Sequence, residues 1–253
     1  MKIAISGKGG VGKTTFASFL IKALADESIK VLAIDADPDA NLAQALGIKN
    51  SDQIAPISEM KQLIEERTEA KVGGMGSFFK MNPKVNDLPD KLSISIGGIK
   101  LMVMGGVKTG GAGCICPESA LLKHLIRHIV IARNEAVVLD MEAGLEHMGR
   151  GTAISVDRLV VVVEPGKRSI ATARQIRKLA GDIGVRKVSF VGNKIRLEKD
   201  KAFLLEQMSD FDFLGFLPFT NAIMEADLEG KAPFEKDKDG LKTVKEMLVK
   251  LRE

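Results

Sequence analysis

Residues Gly7-Lys8-Gly9-Gly10-Val11-Gly12-Lys13-Thr14-Thr15 constrain the fold more than any other stretch of this chain. The spacing G-x-x-x-x-G-K-[ST] follows the apolar run Ile3-Ala4-Ile5. It precedes a helical repeat of Phe16, Phe19, Leu20, Ala23 and Leu24, so the segment reads as strand, loop, helix. Glycines let successive backbone N–H groups face one point, and the helix start adds its positive dipole end there. That point suits the phosphates of ATP or ADP, cradled by Gly9, Gly10, Val11, Gly12 and Thr15. Lys13 would neutralise the β- and γ-phosphates and Thr14 would offer its hydroxyl to Mg²⁺. Lys8 is an extra lysine that phosphate geometry within one chain does not explain.

The 253 residues, 45% of them hydrophobic, can bury one large core, and no composition shift marks a linker, so a single domain spanning 1–253 is expected. No run of about 18 apolar residues is present, and the N-terminal apolar run reads as a strand rather than a signal peptide. A cytoplasmic protein without stable membrane association is the expectation. The formal net charge is +4, but Lys and Arg are interspersed with Asp and Glu, and Trp and Tyr are absent. Neither feature favours a nucleic-acid partner.

Short Val-, Ile- and Leu-rich runs at 2–6, 30–34, 136–139, 158–163, 187–192 and 213–217 are mostly separated by segments of helical spacing. The pattern predicts an α/β fold, a doubly wound and mostly parallel sheet flanked by helices. Residues 92–104 alternate about Gly97-Gly98 and predict a small β-hairpin insertion. Residues 68–91, with Gly73-Gly74, Gly76, Pro83 and Pro89, read as a mobile insertion. Leu241, Val244, Met247, Leu248 and Leu251 form one helical stripe, expected to pack on the core rather than on a membrane.

The loop G-K-G-G-V-G-K-T-T resembles the deviant Walker A motif of the MinD/ParA/nitrogenase-iron-protein class of P-loop ATPases. The resemblance implies an ATP-dependent homodimer in which Lys8 reaches the partner's nucleotide and shares the catalytic work with Lys13. Strand 30–34 delivers Asp35-Ala36-Asp37-Pro38, and ligands of open α/β sheets sit beyond the carboxyl ends of strands. By resemblance to the first switch region of that class, Asp37 orients the attacking water and Asp35 is an outer ligand of Mg²⁺. Alternatively one of the two caps a helix starting near Pro38. Strand 136–139 delivers Asp140-Met141-Glu142-Ala143-Gly144, which resembles a merged Walker B and second switch: Asp140 for Mg²⁺, the Gly144 amide for the γ-phosphate. Asn193-Lys194 resembles the adenine site of the class, and Pro218-Phe219-Thr220 lies where a second adenine contact is expected.

Only two cysteines occur, in Gly110-Gly111-Ala112-Gly113-Cys114-Ile115-Cys116-Pro117-Glu118. Pro117 opens a helical repeat of Leu121, Leu122, Leu125, Ile126 and Ile129, which puts Cys116 at the N-cap, where the helix end favours the thiolate. A disulfide between residues i and i+2 would be strained, so metal binding is the better reading. Two thiolates from each of two chains make four, enough for Zn²⁺ or Ni²⁺. Together, the loop, D-A-D-P-D, C-I-C-P-E and D-M-E-A-G resemble the maturation ATPases that assist nickel insertion into carbon monoxide dehydrogenase, which would make that enzyme the client. Partition or positioning ATPases on membrane or DNA, and iron–sulfur electron-transfer ATPases, are the competing classes. His124, His128 and His147 are candidate extra metal ligands, His124 and His128 sharing an i, i+4 face; a surface or core role is favoured for each.

Overall fold

An unbroken run such as Leu159-Val160-Val161-Val162-Val163 is stable only where helices cover both faces of a sheet, and all five side chains are fully buried. The computed structural model describes residues 1–70, 79–105, 117–129, 135–142 and 156–253. Strand β1 (Lys2–Ser6) leads into helix α1 (Lys13–Asp26). Then come β2 (Lys30–Ala36), the short α2 (Leu42–Ala45), α3 (Lys61–Thr68), α4 (Leu88–Leu92), β3 (Ile94–Ile96) and β4 (Ile99–Val103). The chain continues with α5 (Pro117–His128), β5 (Glu135–Met141), β6 (Arg158–Val163), α6 (Lys167–Ile183), β7 (Val188–Ile195) and α7 (Glu198–Gln207). It ends with β8 (Phe213–Pro218), α8 (Asn221–Leu228), α9 (Pro233–Lys236) and α10 (Lys238–Arg252).

The strands form one sheet in the order β3-β4-β2-β5-β1-β6-β7-β8. Every pairing is parallel except β3 with β4. The expected doubly wound sheet and the hairpin are therefore both present. Gly97 and Gly98 turn the hairpin with φ of 51° and 85°, the doubly positive pair of a type I′ two-residue turn, which glycine adopts without steric cost.

Alternate side chains of each strand divide the core in two. Ile3 and Ile5 of β1, with Val160 and Val162 of β6, face Phe16, Phe19, Leu20 and Leu24 of α1 and the stripe of α10. On the other side, Ala4, Val161 and Val163 pack with Leu121, Leu122 and Leu125 of α5 and Ile170 and Ile176 of α6. The C-terminal stripe is thus used in the core: Val244 and Leu248 are fully buried. Lys245 pairs with Asp26 and Arg252 with Glu27, holding α10 along α1. Leu248→Ala should lower stability by about 2–5 kcal/mol, the range for emptying a closed core site. Urea melts would show this as a lower midpoint at unchanged slope.

The expected mobile insertion, in its described part, is anchored. Val85 and Leu88 are buried against Ile57, Ile64 and Met102. Arg67 of α3 holds Asp87 with two hydrogen bonds of 2.9 and 2.8 Å. Proline and glycine content hid these two apolar residues and the ion pair, which are contacts at long sequence range. Residues 71–78 lie outside the described residues.

Candidate nucleotide site

Strands β2 and β5 run further than their apolar stretches, and the extension places the acids. Asp35 pairs in register with Asp140, and Asp140 with Ile5 of β1, two residues before the phosphate loop. Both carboxylates are fully buried. Asp35 is already occupied: its Oδ1 accepts from Asp37 N at 3.2 Å and its Oδ2 from Leu42 N at 2.8 Å. Burial pushes its carboxyl up to about 6 against those two N–H groups, with the charge of Asp37 adding to the rise. The helix after this turn starts at Leu42 rather than near Pro38, and Asp35 is the residue that meets its first amide.

Asp140 differs: neither carboxylate oxygen accepts a well-formed hydrogen bond. Burial pushes its carboxyl up to about 7; the neighbouring Thr14 hydroxyl and Lys13 oppose this, while Asp35 and Asp37 reinforce it. An orphaned, buried carboxylate beside a threonine hydroxyl is the donor set a hard cation such as Mg²⁺ takes, directly or through its waters. Asp140 and Thr14 therefore fit Mg²⁺ better than Asp35, whose oxygens are engaged in shaping the turn.

Asp37 is the one of the three acids that forms an ion pair with the phosphate loop. Its Oδ2 is 3.9 Å from Lys13 Nζ, and its Oδ1 accepts from Asp39 N at 3.0 Å in a local turn. Lys13 is the only cation that any described ion pair brings to these three acids. Negative charge thus exceeds positive until a metal arrives.

The phosphate loop is braced from β7 in a way sequence reading missed. Asn193 Nδ2 donates to the Val11 carbonyl at 2.8 Å, and Lys194, held at a φ of 59°, donates to the Gly10 carbonyl. At Gly12, φ is 92° and a Cβ would stand 2.3 Å from Asn193 Nδ2, so the loop and its brace fit only with glycine there. Asn193 and Lys194, expected at the base, are therefore engaged with the loop backbone. Replacing Asn193 by alanine leaves the buried Val11 carbonyl unpaired and should cost about 1–3 kcal/mol. Thermal melts should show the loss, and ATP affinity should fall with it.

Pro218 and Phe219 lie beside this brace, since Phe219 N donates to the Ile195 carbonyl at 2.8 Å. The Arg196 guanidinium covers the Phe219 ring at 4.1 Å. Lys8 pairs within its own chain with Glu164, at 3.8 Å, and Glu164 also meets Lys194 at 3.3 Å. Glu164 follows directly on β6, and the strand-end rule that gave Asp35 and Asp140 could have found it. Beside Thr14 and Thr15, helices α2 and α8 enclose a cavity of about 330 Å³ lined also by Gln44, Met224 and Asp227. A larger cavity, about 620 Å³, lies at the opposite ends of β2, β4 and β5, away from the loop. Cys114, Cys116, Gly144 and His147 lie outside the described residues, but α5 does begin at Pro117, immediately after Cys116.

The sequence from residue 2 to residue 234 matches the model of the CobQ/CobB/MinD/ParA nucleotide binding domain. The chain belongs to this MinD/ParA family. It is a P-loop ATPase. Among relatives, it is 48% identical over 237 residues to the carbon monoxide dehydrogenase accessory protein CooC of Rhodospirillum rubrum, covering 93% of this chain and 90% of that one. An uncharacterized ATP-binding protein of Methanocaldococcus jannaschii is 43% identical over 258 residues, covering 100% and 99%. In fold, it resembles the MinD cell division protein of Aquifex aeolicus with a TM-score of 0.70 at 21% identity, over 99% of this chain and 96% of that one. A ParA family ATPase of Chlorobium tepidum gives 0.68 at 17% identity, over 98% and 97%. At these identities the two structures speak for the MinD/ParA fold alone.

Proposed function

We propose that this MinD/ParA-type ATPase works as an ATP-dependent homodimer that binds nickel through Cys114 and Cys116 and assists its insertion into carbon monoxide dehydrogenase. The observation that carries the reading is chain continuity. Cys116 precedes Pro117, the first residue of α5, and the next strand after α5 is β5, which holds Asp140 beside the phosphate loop. A change at the γ-phosphate then has a short path to the thiolates. Likeness to CooC over nearly the whole chain supports the choice of client.

In this reading the residues divide the work. The phosphate loop and Lys13 bind the triphosphate, while Asp140 and Thr14 would hold Mg²⁺, which would neutralise phosphate charge when bound. Asp37 orients water for attack on the γ-phosphorus, so that ATP and water give ADP and phosphate. Lys8 leaves Glu164 to meet the partner's nucleotide. Both side chains of that pair are part-exposed, so parting them costs little. Dimer closure brings four thiolates around one metal ion, with nickel as cargo and zinc as the competing ion.

Equilibrium dialysis tests the metal half. Nickel bound per dimer should be lost at the tight site in Cys114→Ser/Cys116→Ser, and its affinity in the unaltered chain should respond to ATP. Unchanged tight binding in the double variant would refute the reading.

A further inference from the structure

We infer that His124 and His128 form a second site for a divalent transition metal, on the exposed side of α5 and separate from the cysteine pair. Residues four apart on a helix share a face, and two histidines at that spacing are a known way for one helix to grip a borderline-soft ion. The structure gives this pair three properties that a chance repeat need not have.

The rings are already together, stacked with centroids 3.7 Å apart and 23° from parallel. The side chains are within reach of a common ion, which would require the two ring planes to turn until their in-plane lone pairs converge. Second, His128 Nδ1 lies 3.0 Å from the His124 carbonyl oxygen. A carbonyl only accepts, so Nδ1 carries the proton and the lone pair is on Nε2, across the ring from the backbone. A ligating histidine typically shows this arrangement: one ring nitrogen fixed by a carbonyl, the other free for the metal. Third, the pair is open to ligand exchange. His128 is exposed, His124 is half-buried, and His128 also lines the cavity of about 620 Å³.

Among the described residues no third His, Asp or Glu completes a cluster. The site therefore offers two imidazoles and leaves its other positions to water or to a ligand brought by another molecule. Lys123 and Arg127 lie on the exposed side of the same helix and weaken the hold on a cation. This is an exchangeable site, weaker than four thiolates. Imidazole suits Ni²⁺, Zn²⁺ and Cu²⁺ and disfavours Mg²⁺, which keeps it distinct from the nucleotide metal. It also stands on the helix that begins beside the cysteines, where an ion held loosely has only the length of α5 to travel.

The test uses the untagged, nucleotide-free full chain and nickel chloride, followed by calorimetry and by the histidine ring signals in NMR. In Cys114→Ser/Cys116→Ser, which removes the thiolates, about one nickel per chain should still bind, broadening the His124 and His128 signals first. Adding His124→Gln or His128→Gln should weaken that phase at least roughly tenfold, since losing even an outer partner of a ligand costs about 10–100-fold. Thermal melts matching the parent would show that the variants fold. A cysteine-free chain that binds no nickel, or binds it equally without either histidine, would overturn the inference. Either result leaves the cysteine reading intact, because the tight phase reports on that separately.

Discussion

Asp37→Asn is expected to bind ATP at least as tightly as the unaltered chain and to hydrolyse it about 10²–10⁴-fold more slowly, the usual contribution of a positioned general base. Asparagine is the sharper replacement here. Its side-chain oxygen can still accept from Asp39 N, as Asp37 Oδ1 does at 3.0 Å, so the turn after β2 is kept while the charge is lost. Removing that charge also relieves the crowding of Asp35, Asp37 and Asp140 around Lys13, which should help a polyphosphate to bind. Single-turnover hydrolysis and nucleotide affinity measured on one preparation separate the two effects. Equal loss of binding and turnover would mean that Asp37 holds the nucleotide rather than the water.

Asp140→Asn should act in opposite directions on stability and catalysis. In the nucleotide-free chain the carboxyl of Asp140 is pushed by burial from its ordinary 3.8 to about 7. The folded state then holds a proton that the unfolded chain gives up, so stability is full below about pH 4 and falls as pH rises toward 7. Asp35, raised to about 6, contributes in the same sense over a narrower range. Asparagine removes the larger part of this dependence. At pH 8 the variant should be more stable than the parent by roughly 1–3 kcal/mol, because the parent then buries a carboxylate charge that the neutral amide does not carry, and the difference should close by about pH 4. Hydrolysis, in contrast, should fall about 10²–10³-fold, as when one preorganised electrostatic partner is removed. Chemical unfolding at several pH values, with and without Mg²⁺ and ATP, checks both. If the variant were less stable at pH 8, Asp140 would have a protein partner after all.

Most of the sheet was legible because its strands are buried on both faces and so carry continuous apolar runs. The errors fall where polarity and secondary structure disagree. Strand β2 was expected to stop at residue 34 and β5 at 139, since Asp35 and Asp140 look like strand ends; the ladder instead continues through both. Asp35 also explains the late start of α2. Asp35 reaches back to Leu42 N, so the chain between them is a turn tied to the strand. In the site, local motifs placed Lys13, Asp37 and Asp140 together. The Asn193 brace and the Lys8–Glu164 pair join positions more than 150 residues apart, and no spacing rule carries such a pairing.

The antiparallel hairpin at one border of the sheet also sets limits on assembly. Strand β3 is three residues long and pairs with β4 through Ile94, Ser95 and Ile96, so an incoming strand would find only a stub of free backbone. Growth by lateral strand addition, the route to fibres and swapped sheets, is blunted on that side. A second copy is left to approach by another surface, and the face carrying Lys8 and the phosphate loop remains available to it.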